Sequence, residues 1–209
     1  MFLTDSTLSL YKELSENDFF SNFTFVGGSA IAYYLNHRLS EDLDFFTWMD
    51  KLPVDTPVFI NEIKKNHQIV IANSSDTYID LLVDDIKITL FANNWEPLKQ
   101  QRTILNGNIF VANLNLLCAM KINVLSLRAK YRDYFDLYVL NKDKFKLSEM
   151  YEHSKKFIPG MTDKIFCMQL SYIDDIDDES IAHLFPRVNV SLIEIQKHFK
   201  KEIKTTFRL

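Results

Sequence analysis

The sequence contains little glycine, proline or cysteine: its 209 residues include four glycines, five prolines and two cysteines. The scarcity of glycine and proline argues against low-complexity segments and long flexible linkers. Cys118 and Cys167 are too few for a disulfide framework, so we expect two reduced thiols in the core of a cytoplasmic protein. No apolar run is long enough to span a membrane, and the N-terminus has no secretory signal pattern.

Basic charge is not in excess either. The chain carries 24 Lys and Arg against 28 Asp and Glu, a net charge of −4. This balance excludes a broad basic field, so any contact with nucleic acid would be local. A single basic cluster lies near the C-terminus, and it is either a contact for RNA or a partner, or a solvated helix face. Its members are Lys197, Lys200, Lys201, Lys204 and Arg208.

The hydrophobic pattern changes along the chain. Short alternating runs dominate the first half, whereas helical periodicity dominates after residue 113. We therefore predict an α/β (α+β) fold, in which residues 1–112 form a small mixed sheet flanked by helices. Residues 113–209 form a helical domain packed against it. An acidic run at residues 174–179 does not fit a calcium-binding loop and is interpreted as a surface turn.

The chain is organised around two adjacent glycines. An apolar run at residues 23–26 reads as a strand, Gly27, Gly28 and Ser29 follow as a turn, and residues 29–35 read as a helix that Ser29 caps. Glycine allows the backbone to approach a ligand closely, and a helix N-terminus offers free N–H groups to an anion. By itself a Gly-Gly turn is usually only a turn.

Two aspartates follow about a dozen residues later. In a strand, Asp42 and Asp44 point to one face while Leu43 points to the core. Neighbouring carboxylates repel each other unless a cation lies between them, and Mg²⁺ is commonly held by one or two carboxylates together with substrate phosphates. Alone, an Asp-x-Asp pair is most often a solvated strand face.

A β-hairpin is predicted from residues 77–91, with Asp84 and Asp85 as its two-residue turn. Counting outward from that turn places Asp80 opposite Thr89, so both would share a face with Lys87. A strand lysine or aspartate of this kind is either exposed polar surface or part of a phosphate site.

A second group of charged residues belongs to the helical half. Lys121 lies within a strongly amphipathic helix, and Arg132, Asp133 and Asp136 follow it, the two aspartates three apart on one helix face. These residues either form a salt-bridged helix start or bind phosphate.

Taken together, these motifs resemble a known family. Gly27-Gly28-Ser29-Ala30, then His37-Arg38-Leu39-Ser40-Glu41-Asp42-Leu43-Asp44-Phe45-Phe46, is similar to the signature of the AbiEii/AbiGii-type nucleotidyltransferase toxins of bacteria, within the nucleotidyltransferase superfold. The run Arg132-Asp133-Tyr134-Phe135-Asp136-Leu137, preceded by Lys121, resembles the second hallmark of the family. The resemblance covers about residues 23–140.

The resemblance implies an enzyme that uses Mg²⁺ or Mn²⁺ to move a nucleoside monophosphate from an NTP to an acceptor, in the family thought to be RNA and in some members tRNA. It implies a toxin of a type IV toxin–antitoxin or abortive-infection system, neutralised by a cognate antitoxin. Asp42 and Asp44 would hold the metal, and Asp80 or Asp136 would act on the acceptor hydroxyl. The implied nucleotide-binding residues are Gly28, Ser29, Lys87, Lys121 and Arg132.

The chain departs from the family pattern at one position. Thr89 stands where the family has a third carboxylate. Either Asp80 supplies that carboxylate from across the hairpin, or Asp42 and Asp44 suffice. The alternative is a catalytically impaired nucleotide- or RNA-binding module on the same fold. A further alternative is an enzyme that modifies a protein or a small molecule.

Overall fold

A computed structural model describes residues 2–176 and 180–207 of the chain. Two compact units are present. The first comprises the residues up to Tyr33 together with Leu39–Asn113, and the second comprises Tyr34–Arg38 together with the residues from Leu114 onward. Part of the acidic run (residues 177–179) and Arg208 of the basic cluster lie outside the described residues.

The first unit contains a seven-stranded mixed sheet. Its strands, in chain order, are β1 (Thr24–Val26), β2 (Leu43–Thr47), β3 (Ile69–Ser74), β4 (Tyr78–Val83), β5 (Ile86–Ala92), β6 (Arg102–Asn106) and β7 (Ile109–Ala112). In space their order is β3-β4-β5-β2-β1-β7-β6. The β2–β5 and β1–β7 pairs are parallel, and the other four pairs are antiparallel. The predicted mixed sheet of an α/β fold is therefore confirmed.

Nine α-helices are found among the described residues. They are α1 (Asp5–Ser15), α2 (Gly27–Leu35), α3 (Thr56–Ile63), α4 (Pro97–Gln100), α5 (Leu114–Arg128), α6 (Tyr131–Asp143), α7 (Leu147–Phe157), α8 (Asp163–Ser171) and α9 (Leu192–Phe207). From α5 onward no strand occurs in the described part of the chain, so the predicted helical C-terminal half is confirmed.

One face of the central strands forms an aromatic core. Burial alternates along β2, where Leu43 and Phe45 are buried and Asp44 between them is partly exposed. The Phe45 ring packs against Phe20, with centroids 4.5 Å apart, and Phe25 of β1 packs 5.8 Å from Tyr11 of α1. Because side chains alternate across a strand, Asp44 is turned to the opposite face of the sheet.

The predicted hairpin is confirmed in its register. Val83 pairs with Ile86, and Asp80 pairs with Thr89. Asp84 and Asp85 both adopt positive φ angles, 47° and 67°, as the favoured two-residue hairpin turn requires.

The structure corrects one local prediction, the turn at residues 27–29 with Ser29 as the helix cap. Residues 27–29 are not a separate turn, because α2 begins at Gly27, directly after β1. Ser29 consequently lies inside the first helical turn, where it does not act as the N-cap.

The second unit is a helical bundle with its own core. Cys118 in α5 and Cys167 in α8 are both free and buried, as expected. Across the described ranges, no helix is long and apolar enough to cross a membrane.

Candidate active site

The first candidate feature is the junction between β1 and α2. Gly27 has a φ of 75°, and a Cβ built on it would lie 2.2 Å from Oδ2 of Asp44. Only glycine accommodates both this backbone angle and this close approach. The Asp44 carboxylate is thus packed against the first residue of α2, where helical N–H groups and the positive end of the helix dipole favour negative charge.

Ser29 connects the start of α2 to the segment that carries the aspartates. Its side chain is 1% exposed, and its hydroxyl donates to the backbone carbonyl of Asp42. Ser40 Oγ lies 2.8 Å from the same hydroxyl. This buried link fixes the backbone of Asp42 relative to the first turn of the helix. The role of Ser29 in nucleotide binding stays a prediction.

Three polar positions lie side by side across neighbouring strands. Asp44 of β2 is paired with Thr89 of β5, and Thr89 is paired with Asp80 of β4. Directly opposed residues share a face, so these side chains form one polar row on the face opposite the aromatic core. The sequence-based prediction that Asp80, Thr89 and Lys87 lie together is confirmed, because the Thr89 hydroxyl donates to Asp80 Oδ1 at 2.9 Å and Lys87 Nζ lies 3.2 Å from Asp80 Oδ2.

The surroundings of Asp80 keep it ionised. Burial alone would raise the pKa of its carboxyl group, but hydrogen bonds from Tyr78, Thr89 and Lys87 hold the pKa below its usual value. The Tyr78 hydroxyl donates to Oδ2 at 2.5 Å. Tyr78 was not predicted as part of this group, although its position two residues before Asp80 places it on the same face.

The chemistry of Asp42 and Asp44 suits one divalent cation. Asp42 and Asp44 flank Leu43, and Asp44 lies in the space that a side chain at position 27 would fill. Two carboxylates with substrate phosphates are a usual ligand set for Mg²⁺. Within residues 2–176 and 180–207, no three His, Cys, Asp or Glu side chains are arranged to hold a metal ion. A cation held by Asp42 and Asp44 would therefore need further ligands from substrate or water.

The second candidate feature is a buried ionic cluster in the helical unit. Asp136 of α6 is 0% exposed. Its carboxylate accepts from Arg38 through Nε at 2.8 Å and Nη2 at 3.0 Å, and it lies 2.7 Å from His37 Nε2. Lys121 Nζ lies 3.0 Å from Asp136 and 2.9 Å from Asp133.

These contacts determine the protonation states in the cluster. Burial would raise the pKa of Asp136, but the neighbouring Arg38 and Lys121 and the hydrogen bond from His37 hold it well below its usual value. Burial would lower the pKa of Lys121, but Asp136 and Asp133 raise it. Both members of the Asp136–Lys121 pair are therefore charged at neutral pH.

The structure divides the predicted site residues between the two units. Gly28, Ser29, Asp42, Asp44, Asp80 and Lys87 belong to the first unit, and Lys121, Arg132 and Asp136 belong to the second. Arg132 is half-buried near the start of α6. The direct role of Asp136 in the chemistry, and those of Lys121 and Arg132 in nucleotide binding, stay predictions.

Sequence reasoning missed His37 and Arg38 as members of the ionic cluster. Both were part of the family-like string, but 98 residues separate Arg38 from its partner Asp136. Hydrophobic periodicity relates residues within a single helix or strand, so it cannot indicate a pairing between residues so far apart in the sequence.

Comparisons with known proteins support the fold and the family. Residues 9–94 match the family described as "Nucleotidyl transferase AbiEii toxin, Type IV TA system". An uncharacterized protein of Aquifex aeolicus (strain VF5) is 28% identical over 186 residues, which cover 88% of this chain and 87% of that protein.

Two solved structures have a similar fold. A candidate nucleotidyltransferase from H. pylori matches with a TM-score of 0.56 at 18% identity, covering 99% of this chain and 98% of its own. The nucleotidyltransferase toxin MenT4 from Mycobacterium tuberculosis H37Rv matches with a TM-score of 0.58 at 13% identity, covering 96% of this chain and 84% of its own. With the Gly-Gly-Ser and Asp-Leu-Asp motifs in place, the match over residues 9–94 confirms the predicted resemblance to the AbiEii nucleotidyltransferase toxins of type IV toxin–antitoxin systems.

Proposed function

We propose that this protein transfers a nucleoside monophosphate from an NTP to an RNA acceptor, with tRNA as the first candidate, in a reaction that depends on Mg²⁺ or Mn²⁺. In the cell it would act as a toxin countered by a cognate antitoxin. The observation that carries the proposal is the Asp44 carboxylate packed against Gly27 at the start of α2, with Asp42 fixed beside it through Ser29.

Asp42 and Asp44 are the residues that would hold the metal ion. A bound divalent cation neutralises the charge that develops on the transferred phosphate and the leaving pyrophosphate. The Ser29 hydrogen bond fixes the Asp42 backbone, and the Asp44 carboxylate is packed against Gly27, so less organisation of the site is needed when substrate arrives.

Cationic and N–H groups would bind the triphosphate. Gly28 and Ser29 contribute backbone N–H groups from the first turn of α2, where no helical carbonyl precedes them. Lys87 keeps 43% of its side chain exposed while it contacts Asp80, so its ammonium group is accessible to a phosphate. The nucleotide-binding roles of Lys121 and Arg132, which belong to the helical unit, rest on the family resemblance alone.

Asp80 is our preferred group for orienting and deprotonating the acceptor hydroxyl. A general base must be ionised and accessible, and the lowered pKa of Asp80 meets the first requirement. Its side chain keeps 9% of its surface exposed, whereas the Asp136 side chain has none. The same carboxylate compensates for Thr89, because it lies directly beside the position where the family has its third acid.

The test measures Mg²⁺-dependent transfer from each of the four α-³²P-labelled NTPs to total tRNA and to total protein. Asp44→Asn removes one metal-binding charge at constant shape. Asp76→Asn is the matched control, because the Asp76 side chain is 79% exposed and pairs with Lys51 on the surface of the same unit. We expect labelled RNA with wild type and the control, and at least a 100-fold loss with Asp44→Asn.

The second candidate is a nucleotide- or RNA-binding module without turnover, and Thr89 favours it. A hydroxyl at this position donates to Asp80 and brings no negative charge of its own to the row. Calorimetric binding of Mg·NTP without transfer to any acceptor would establish this alternative. Label on protein instead of RNA would show that the acceptor class in our proposal is wrong.

A further inference from the structure

Charge is divided unevenly between the two units. Residues 34–38 and 114–209 carry 17 Lys and Arg against 13 Asp and Glu, a net charge of +4. The rest of the chain carries 7 against 15, a net charge of −8. The overall charge of −4 therefore conceals a basic helical unit, and a polyanion approaching the molecule is attracted to that unit and repelled by the other.

The most regular concentration of positive charge lies on α9. Lys197, Lys200, Lys201 and Lys204 are all exposed. Their spacing of three and four residues places them on one face of the helix, along about 10 Å of its length. We call these four residues the lysine stripe. Glu194, the acidic residue nearest to the stripe along its own face, accepts from Ser191 at the helix start.

The opposite face of α9 holds the helix in the bundle. Leu192, Ile195, Phe199 and Ile203 are buried. A helix whose apolar side is already packed has no face to insert into a bilayer, so this is not the free amphipathic helix of a membrane-surface protein. The lysine stripe is instead presented outward on a fixed support.

A neighbouring helix adds charge at the C-terminal end of the stripe. Phe207 of α9 packs 5.4 Å from the ring of Tyr151 on α7, and Lys155 Nζ lies 4.9 Å from the Tyr151 ring centroid. Lys155 is exposed and lies one turn along α7 from Tyr151, where it also forms an exposed ion pair with Glu152 that a phosphate could displace. The basic surface therefore extends beyond a single helix.

We propose that the lysine stripe of α9, extended by Lys155, is the docking surface for the phosphate backbone of the RNA acceptor. The choice of RNA as the ligand rests on the proposed function, whereas the positive charge of the surface follows from the structure alone. Lysine ammonium groups are point charges on flexible stems, which suit phosphates without reading bases. The surface would thus supply affinity that is independent of sequence and dependent on salt.

The size of the effect follows from counterion release. For single-stranded nucleic acid, each phosphate contact contributes about 0.7 to the slope of log K against the logarithm of the salt concentration. At about 0.1 M salt, one such contact therefore increases the affinity about fivefold. Loss of two to four contacts should weaken binding by about 25-fold to 600-fold and reduce the slope by about 1.4 to 2.8.

The experiment compares two quadruple Lys→Gln variants of the full chain with wild type. One replaces the lysine stripe, and the other replaces four exposed lysines of the first unit, so both change the net charge equally. The control lysines are Lys12, Lys51, Lys64 and Lys65. Fluorescence anisotropy with labelled tRNA gives the dissociation constant at KCl concentrations from about 0.05 to about 0.3 M. In this range the salt dependence reports the number of phosphate contacts. Mg·NTP binding by calorimetry and thermal unfolding verify that each variant keeps its nucleotide site and its fold.

We expect the stripe variant to lose tRNA affinity and salt slope as calculated, with Mg·NTP binding unchanged and the control variant within about threefold of wild type. Equal losses in both variants, or none in the stripe variant, would overturn the proposal. Failure of the proposed function has a different signature: the wild type would transfer no label, whether or not the stripe binds tRNA.

Discussion

Replacing Asp136 by Asn tests the buried ionic cluster most directly. The carboxylate accepts from Arg38 through both oxygens and contacts His37 and Lys121, all within 3.0 Å. Asparagine has nearly the same shape but no charge. Asp133 would then be the one acidic group beside the buried cations Arg38 and Lys121, so one positive charge in the interior would be uncompensated.

The magnitude follows from that imbalance. Breaking a buried ion pair by removing one partner costs about 3–5 kcal/mol, mostly because the remaining charge stays desolvated. A protein of this size loses about 2–4 °C of Tm for each kcal/mol, so Asp136→Asn should lower Tm by about 6–20 °C. Such a loss is a large part of the 5–15 kcal/mol that typically stabilises a folded chain.

The matched control is Asp143→Asn at the end of the same helix. Asp143 pairs with Arg187 at the surface, where both side chains are partly exposed, and such pairs contribute at most about 1 kcal/mol. Urea unfolding at pH 7 gives the free energy of unfolding for wild type and both variants. If Asp136→Asn lies within 1 kcal/mol of the control, on the order of one surface pair, the cluster is not a buried charge network and our reasoning is wrong.

The pH dependence provides a second check on Asp136. Its pKa in the folded protein is well below the usual value because of Arg38, Lys121 and His37, despite burial. The stabilisation is therefore complete above the unfolded pKa of about 3.9 and is lost as pH falls through the folded pKa. The difference between wild type and Asp136→Asn should stay constant from pH 8 to about 5 and shrink only in stronger acid.

Three further predictions concern the first unit. Gly27→Ala would place a methyl group 2.2 Å from a carboxylate oxygen of Asp44 and should lower transfer about 100-fold; Gly160→Ala shares the positive φ in open space and should keep full activity in the same assay. Thr89→Val removes a hydrogen bond that lowers the pKa of Asp80, so the acidic limb of the pH–rate profile should shift to higher pH; an unchanged limb would exclude Asp80 as the base. His67 lies between two carboxylates, and the hydrogen bond to Asp84 raises its pKa although burial opposes the rise. Protonated His67 should therefore stabilise the folded protein by up to about 1 kcal/mol below pH 6.5, and this stabilisation should be lost as pH rises through the folded pKa. The unfolding free energy of His67→Gln should lack this pH dependence.

Local pattern was sufficient to predict most of the site in the first unit. The turn at Asp84 and Asp85 set the hairpin register, and the register brought Asp80 beside Thr89. These predictions succeed because strand periodicity and turn geometry act between near neighbours. The boundary at Gly27 was predicted less well, since the position at which a helix begins depends on what its first residues contact.

The sequence by itself determined the α/β class, the helical C-terminal half, the family resemblance and the Asp-x-Asp pair, because each is expressed in short motifs or in a period of two or 3.6 residues. Only the tertiary structure decided that Asp136 is buried among Arg38, His37 and Lys121, and that Ser29 is tied to the carbonyl of Asp42. Pairings of this kind depend on which distant parts of the chain pack together. A buried charge is stable only when it is paired, and its partner can come from any distance along the sequence.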